Sequence, residues 1–265
     1  MTYLFGDTEL AARRLRVLAR VFEPPTLDFL GAWNSLFGGL EPQGPATVID
    51  LGCGPGHTTR LLATALDRHV IGLDASDAFL YEARRLQPTR VSFQLHDVTD
   101  VAFPTPPAHL MYSRFLLTHL AHLGAVFASW RANLRPGGWI LLEEPEWIAT
   151  EVEPFRVYLD LIARSLNVRG TELYIGPRLA VEAAAIGGLT VLIDRVVEHD
   201  VSDRDAATMF AWNLPTVRAA HQDATVLAPA DEIDALQQAL DDLAYMPVAT
   251  SRIRWGLRQV ALRME

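Results

Sequence analysis

The stretch that most constrains the fold of this chain runs from Ala46 to Leu62, ATVIDLGCGPGHTTRLL. An apolar, β-branched run leads to Asp50, glycines follow at positions 52, 54 and 56, and an apolar helical pattern begins after them. This order predicts a strand, a glycine-rich turn and a helix. Such a turn brings backbone N–H groups close to a bound ligand, and glycine leaves space where a Cβ would collide. An ordinary strand–helix turn has the same pattern. The residues that follow must therefore show whether this turn binds a ligand.

From residue 47 onward the predicted strands and helices alternate, which is the pattern of a parallel sheet covered on both faces. We predict strands at 47–51, 69–73, 91–95, 108–113, 138–144, 190–198 and 252–262. The predicted helices lie at 7–22, 26–37, 57–66, 77–87, 122–134, 154–167, 177–186, 203–221 and 231–244. The expected fold is α/β: a Rossmann-like, doubly wound, seven-stranded, mostly parallel sheet with N-terminal helices. We expect a helical cap at 1–45 and a ligand-binding domain at 46–265, with a helical insertion at about 200–248 before the last strand.

Open parallel sheets bind ligands at the carboxyl ends of their strands. Asp74 closes the second predicted strand, 22 residues after Gly52, which is the spacing of a carboxylate that accepts both hydroxyls of an adenosine ribose. The alternative role for Asp74 is an N-cap of the next helix, but Ser76 can fill that role. The G-x-G-x-G form departs from the dinucleotide fingerprint G-x-G-x-x-G. A nicotinamide dehydrogenase is therefore not the first functional hypothesis for this chain.

Composition excludes several classes of function. All 23 basic residues are arginine, which removes a Walker lysine, a pyridoxal-phosphate Schiff base and a lysine general base. The net charge of −9 opposes binding to nucleic acid or to an anionic membrane. No apolar run approaches the roughly 20 residues of a membrane span, and MTYLFGDTEL does not resemble a signal peptide. The single cysteine, Cys53, fits a reducing cytoplasm.

Two clusters of arginines stand out along the chain. One occupies the first predicted helix and the other the last predicted strand, and we interpret both as solvated faces. Their members are Arg13, Arg14, Arg16 and Arg20, then Arg252, Arg254, Arg258 and Arg263.

Four motifs together resemble those of class I S-adenosylmethionine (SAM)-dependent methyltransferases, in their small-molecule branch. The stretch Asp50–Gly56 resembles their first motif, and Asp97-Val98 follows the third predicted strand, where those enzymes place an acid. RFLLTHL at 114–120 and the Pro-Gly-Gly turn at 136–138 resemble two further motifs, in the same order. The resemblance implies SAM as cofactor and a small-molecule acceptor.

The resemblance also implies the cofactor contacts. Gly52, Cys53 and Gly54 would cradle the methionine part by their backbone, with Asp50 near its amine. Asp97 would receive the adenine amine, although a turn or cap role is its rival. Arg114 has three candidate partners: the cofactor, a substrate carboxylate or a neighbouring helix. The remaining candidates are Ala75 beside the ribose, Val98 on the adenine ring, Ser113 at the end of the fourth strand, and Tyr3 folded over the cofactor.

The methyl group of SAM is already activated, so the enzyme must align a nucleophile and exclude water. A base matters only for an acceptor that keeps its proton. The candidates near the right strand ends are His119, His122, Glu143, Glu144 and Glu146. We select His119 first and also Glu144, with a helix-surface or supporting role as the alternative for His119. Glu143 and Glu144 should point to opposite faces of a strand. We predict no metal, because His119 and His122 lack further ligands nearby in sequence.

The predicted function is methyl transfer to oxygen or nitrogen of a small molecule, natural products included. The expected protein is cytoplasmic, monomeric or homodimeric, and has no nucleic-acid or membrane partner. A SAM-binding protein without methyl transfer, structural or assisting a rearrangement, is the first alternative, and a nicotinamide dehydrogenase is the second.

Overall fold

The computed structural model describes residues 4–40, 46–85, 89–220, 228–246 and 252–265. Its strands are β1 (Val48–Leu51), β2 (Val70–Asp74), β3 (Val91–Leu95), β4 (Ala108–Arg114), β5 (Leu134–Ala149), β6 (Leu189–Ser202) and β7 (Arg252–Met264). They form one seven-stranded sheet in the order β3-β2-β1-β4-β5-β7-β6. The pairs among β1 to β5 are parallel, and β7 runs antiparallel to both β5 and β6. The predicted fold class is confirmed.

The helices also follow the predicted order. They are α1 (Glu9–Val21), α2 (Glu23–Phe37), α3 (His57–Leu66), α4 (Asp77–Arg85), α5 (Leu123–Ala132), α6 (Glu153–Val168), α7 (Leu179–Ala185), α8 (Asp203–Ala220) and α9 (Ala230–Tyr245). The second helix was predicted at 26–37, but α2 begins at Glu23 and includes Pro24 and Pro25 in its first turn. That turn has no intrahelical acceptors for its N–H groups, so proline costs nothing there.

Helices cover both faces of the sheet. On one face, Phe29 and Trp33 of α2 and Leu62 of α3 pack in one buried cluster on alternate residues of the central strands. On the other face, Phe127 and Trp130 of α5 pack with α7 on the remaining strand residues. Because α2 lies directly on the sheet, it contributes to the same core as the strands. The division of the chain at residue 45 stays a prediction.

Three strands are longer than predicted. β5 continues through Pro145 to Ala149, and a register shift between Pro145 and Trp147 absorbs the proline, which cannot donate to a sheet ladder. β6 and β7 are extended to match. A third buried cluster joins α6, α8 and α9 to β7 residues such as Trp255 and Leu257. The helical insertion between β6 and β7 is confirmed as α8 and α9, and this helical layer borders the site.

Within the described ranges, no helix combines the length and apolar character needed to cross a membrane.

Candidate active site

The glycine-rich turn directly follows β1 and leads into α3. Gly52 and Gly56 have φ values of +65° and +75°, which favour glycine. A Cβ on Gly52 would come within 2.7 Å of Leu116 Cδ1, and one on Gly56 within 2.5 Å of Phe93 Cζ. The Cys53 N–H donates to the Leu73 carbonyl at 3.0 Å and ties the turn to β2. The local sequence therefore builds a tight turn in which a side chain at either glycine would collide with a packed neighbour.

Asp74, at the end of β2, joins two turns. Its Oδ2 accepts the Gly54 N–H at 2.7 Å and its Oδ1 accepts the Ser76 N–H at 2.8 Å. The Ser76 hydroxyl accepts the Phe79 N–H at 3.1 Å, so Ser76 caps α4 as expected. It also donates to Asp7 Oδ2 at 2.8 Å. Burial raises the pKa of Asp74, although these backbone N–H groups oppose the shift.

Asp97 follows β3 and shapes its own turn. Its Oδ1 accepts the backbone N–H of Thr99 at 2.9 Å and the Thr99 hydroxyl at 2.7 Å. Burial acts to raise the pKa of Asp97, but the hydrogen bonds from Thr99 prevail and lower it. Neighbouring Val98 is buried. Asp97 therefore combines the turn role with a place on the cavity wall.

Arg114 ends β4 and joins three elements. Its Nη1 donates to the Thr26 hydroxyl at 2.8 Å and to the Phe22 carbonyl at 3.1 Å, both at the start of α2. Its Nη2 donates to the Thr58 hydroxyl at 2.9 Å in α3. Of its three candidate partners, the neighbouring helices are the ones the structure shows. Phe115 follows with φ +54°, a strained value for a bulky residue at a cavity wall.

His119 ends a short 3-10 turn after β4 and is partly buried. The Phe5 ring contacts it edge-on, with centroids 5.2 Å apart. Burial, reinforced by the charges of Arg14 and Arg169, lowers the pKa of His119 to about 3. The imidazole is therefore neutral at physiological pH.

These residues surround one cavity of about 760 Å³. Its part above β1, β2 and β3 we call the glycine end, and its part above β4, β5 and β7 we call the helix end. The glycine end is lined by Gly52, Cys53, Gly54, His57, Asp74, Ala75, Ser76, His96, Asp97, Val98 and Thr99. The helix end is lined by Arg14, Leu18, His119, His122, Tyr158, Leu159, Ile162, Leu166, Arg169, Met209, Phe210, Asn213 and Trp255. Arg114, Phe115 and Leu116 lie between the two ends.

Several predicted site residues lie behind the cavity wall. Asp50 is buried beneath the glycine turn, where its Oδ2 accepts the Thr59 hydroxyl at 2.6 Å and burial raises its pKa to about 7. Ser113 is fully buried in β4. Glu144 Oε1 accepts the N–H groups of Leu116 and Leu117, each at 2.8 Å. Tyr3 lies outside the described residues.

Glu143 and Glu144 point to opposite sides of β5, as alternation requires. On the Glu143 side, its Oε2 accepts the Thr26 hydroxyl at 2.6 Å and the Tyr112 hydroxyl in a short hydrogen bond. Its Oε1 accepts the Gln259 amide at 2.8 Å. This network is fully buried and adjoins Arg114 through Thr26.

Four residues that line the cavity were not among the predicted site residues: Phe5, Asp7, His57 and Arg169. The expectation of a solvated arginine face was wrong for Arg14, which is 5% exposed. A signal existed, since Arg14 is four residues after Leu10 and four before Leu18, on the apolar stripe of α1. Arg169 lies outside any motif, whereas Phe5 belongs to the N-terminal stretch from which only Tyr3 was selected.

The solvated interpretation of the second arginine cluster was also wrong for Arg258, whose guanidinium pairs with Glu146 at 3.0 Å and Asp194 at 3.1 Å on neighbouring strands. Among the described residues, no group of three or more His, Cys, Asp or Glu side chains could hold a metal ion.

Known proteins resemble this chain in sequence and in fold. A methyltransferase-domain family model matches residues 48–138. A trans-aconitate 2-methyltransferase of Methylobacterium nodulans is 38% identical over 103 residues, which is 38% of this chain and 39% of that protein. One from Methylobacterium radiotolerans is 31% identical over 173 residues, covering 64% of this chain and 61% of that protein. The chain thus spans less than two thirds of the length of either relative.

A solved structure, the [4+2]-cyclase SpnF, shares the fold with a TM-score of 0.52 and 18% identity, covering 91% of this chain and 80% of that one. At this identity the likeness shows the fold alone. The family match falls on the strand–glycine turn–helix unit and the strand ends described above. The predicted resemblance is confirmed over residues 48–138, which match a methyltransferase domain.

Proposed function

We propose that the protein transfers the methyl group of SAM to an oxygen or nitrogen atom of a small molecule. The observation that carries this proposal is the shape of the cavity. One continuous space joins the glycine turn and Asp74 to a helix-covered end. Its volume is within the roughly 300–1,000 Å³ of small-molecule sites, and a cofactor and an acceptor could meet there away from bulk water.

The proposed cofactor position is the glycine end. Gly52, Cys53 and Gly54 would hold the methionine part by backbone groups, and Asp74 would accept the ribose hydroxyls. Asp97 and Val98 would flank the adenine, with Ala75 and Arg114 as further wall contacts. Asp50 and Ser113 would act from behind the wall, Asp50 by holding Thr59 at the start of α3. Tyr3 stays a proposal without a described position.

Two candidate bases differ in their surroundings. His119 lines the helix end, but a pKa of about 3 makes it a weak base, suited to orienting an acceptor. Glu144 holds the backbone of the turn that carries Leu116 and Leu117, so we propose a positioning role for it. An acceptor that arrives ionised would need neither group as a base.

A first prediction concerns Asp74. Asp74→Ala should weaken SAM binding by about 1–3 kcal/mol, because hydrogen bonds from the ribose to an ionised carboxylate would be lost. Asp74 also holds two turns, so a calorimetric cycle must separate the effects. Wild type should lose affinity when S-adenosylhomocysteine is replaced by its analogue without ribose hydroxyls, and Asp74→Ala should show no such loss. An equal loss in both proteins would refute the ribose contact.

The proposed function is tested by ligand binding followed by turnover. SAM and S-adenosylhomocysteine should stabilise the protein by about 2.7 kcal/mol at a hundredfold excess over the dissociation constant, and NAD should not. With trans-aconitate, the substrate in the names of two relatives, as a first acceptor, formation of S-adenosylhomocysteine and a methylated product would establish transfer. SAM binding without consumption across a broad acceptor panel would favour the non-transferring alternative. A cytoplasmic monomer or homodimer, without nucleic-acid or membrane partners, stays part of the proposal.

A further inference from the structure

Much of the wall at the helix end consists of apolar and aromatic side chains. Leu159 and Ile162 of α6 and Met209 and Phe210 of α8 are all buried and line it. The Tyr158 ring stacks on Phe210, with ring centroids 4.2 Å apart and planes 16° from parallel. Such a wall takes up hydrocarbon or aromatic surface but does not orient the molecule that it holds. Orientation must come from the polar groups of the same wall.

Asn213 of α8 is one of these polar groups. It is 5% exposed and lines the helix end. Its Nδ2 donates to the Tyr158 hydroxyl at 2.8 Å, which holds the amide in one direction. Within the part of the chain that the structure describes, no group donates a hydrogen bond to the Asn213 Oδ1. This oxygen is not one of the unpartnered polar atoms enclosed by the protein, so it opens onto the cavity.

The backbone that carries Asn213 is anchored on two sides. Pro215 lies inside α8 and has no N–H group for the Ala211 carbonyl, which is four residues earlier. The Gln237 side chain of α9 donates to that carbonyl at 3.3 Å instead. The hydrogen bond to Tyr158 joins the same turn to α6. The structure therefore presents the Asn213 Oδ1 from a fixed position.

A buried amide oxygen distinguishes between classes of ligand. Water can donate to it while the site is solvated, but an apolar molecule displaces that water without replacing its hydrogen bond. An ether or carbonyl oxygen at this point would place a second hydrogen-bond acceptor against Oδ1. An ammonium group would bring a charge that an uncharged amide cannot balance. A neutral O–H or N–H group supplies the missing donor.

Under the proposed function, on which this step rests, we propose that Asn213 binds the methyl acceptor and selects a molecule with a neutral O–H or N–H group on a largely apolar body. That group donates a hydrogen bond to the Asn213 Oδ1. Tyr158 positions the amide through Nδ2, and the apolar side chains of α6 and α8 hold the body. Asn213 is thus a specificity-determining residue of the helix end.

The experiment measures ligand binding while S-adenosylhomocysteine saturates the glycine end. Two matched pairs keep the body and change one group: indole against benzofuran, and 4-ethylphenol against 4-ethyltoluene. Calorimetry gives the dissociation constants for wild type and for Asn213→Leu, which keeps the side-chain volume and removes the amide. For each pair, the constant of the partner without a donor is divided by that of the donor. We expect this ratio to be about five- to thirtyfold larger in wild type than in Asn213→Leu.

Two further variants separate recognition from general effects on α8. Thr208→Val removes a hydroxyl that donates to the Arg204 carbonyl at 2.7 Å on the same helix, outside the cavity wall, and should keep the wild-type ratio. Tyr158→Phe should give an intermediate ratio, because the amide loses the hydroxyl that orients it. Thermal unfolding identifies any variant that folds poorly, and Asn213→Ala repeats the test if Asn213→Leu does.

The possible failures are distinct. Equal ratios in wild type and Asn213→Leu, or an equal fall of the ratio in Thr208→Val, would overturn the role of Asn213. A wild-type ratio in Tyr158→Phe would overturn the positioning role of Tyr158. Binding of S-adenosylhomocysteine but of no member of either pair would overturn the assignment of the ligand class. A protein that does not bind S-adenosylhomocysteine at all would instead overturn the proposed function.

Discussion

Glu143→Leu should lower the free energy of unfolding by about 3–5 kcal/mol. The carboxyl group of Glu143 is the shared acceptor for Thr26, Tyr112 and Gln259, and all of them are buried. Leucine removes that acceptor and leaves several buried donors to find other partners, each at a cost of about 1–3 kcal/mol when it fails. The two hydroxyls, 3.2 Å apart, can bond to each other and recover part of the loss.

Urea unfolding of the two proteins measures this loss. The control is Glu198→Leu on the edge strand β6, where an exposed glutamate pairs with Arg254 at 3.4 Å and should contribute under about 1 kcal/mol. SAM binding should weaken in Glu143→Leu as well, because Arg114 reaches both this network and Thr58 beside the glycine turn. A loss no larger than that of the control would mean that the network does not stabilise the fold.

The second large effect depends on pH and involves Glu144. Burial raises the pKa of this carboxyl group to about 8 in the folded protein, despite backbone N–H donors and with a further increase from Glu143. In the unfolded chain it ionises near its ordinary value of about 4.5. Between these values the folded state binds one proton more, so stability falls as pH rises, by about 1.4 kcal/mol per pH unit. Below about pH 4.5 this cost is zero, and above about pH 8 it is complete, at about 5 kcal/mol as an upper limit.

Glu144→Gln should remove that dependence. The glutamine carbonyl can accept the same N–H groups of Leu116 and Leu117, and the side chain carries no charge at any pH. The variant should gain stability relative to wild type as pH rises from about 5 to 8, with a constant difference above that. Urea titrations across this range measure the difference, and Glu198→Gln serves as an exposed control. Parallel stability curves for wild type and Glu144→Gln would show that Glu144 ionises normally in the fold.

The order of strands and helices could be predicted for two reasons. Apolar residues repeat at a different spacing in strands and in helices, and glycine or proline marks the ends of many elements. The glycine turn, Asp74 and Asp97 could be located because parallel strands bring their carboxyl ends to one edge. The start of α2 could not be predicted. A pair of prolines is compatible both with the end of one helix and with the first turn of the next. The reach of β5 past Pro145 depends on a bulge, which a local pattern does not reveal.

Site residues could be predicted where they directly follow a predicted strand. They could not be predicted where the site is formed by elements that are distant in sequence. Thr26, Tyr112, Glu143 and Gln259 belong to four separate elements, and none has a recognisable motif. Arg14 and Arg169 become neighbours of His119 only when α1 and α6 pack over the sheet. Such contacts depend on tertiary packing, which spacing along the chain does not record.

The two ends of the cavity differ in how much of their sequence matches the family model. The residues that match the family model, 48–138, contain the glycine end, whereas α1, α6, α8 and most of β5 and β7 lie outside that range. The helix end is thus formed largely by residues outside the range that the family model matches. Under the proposed function, transplanting α6 and α8 from a homologue should therefore exchange the acceptor while the methyl donor stays the same.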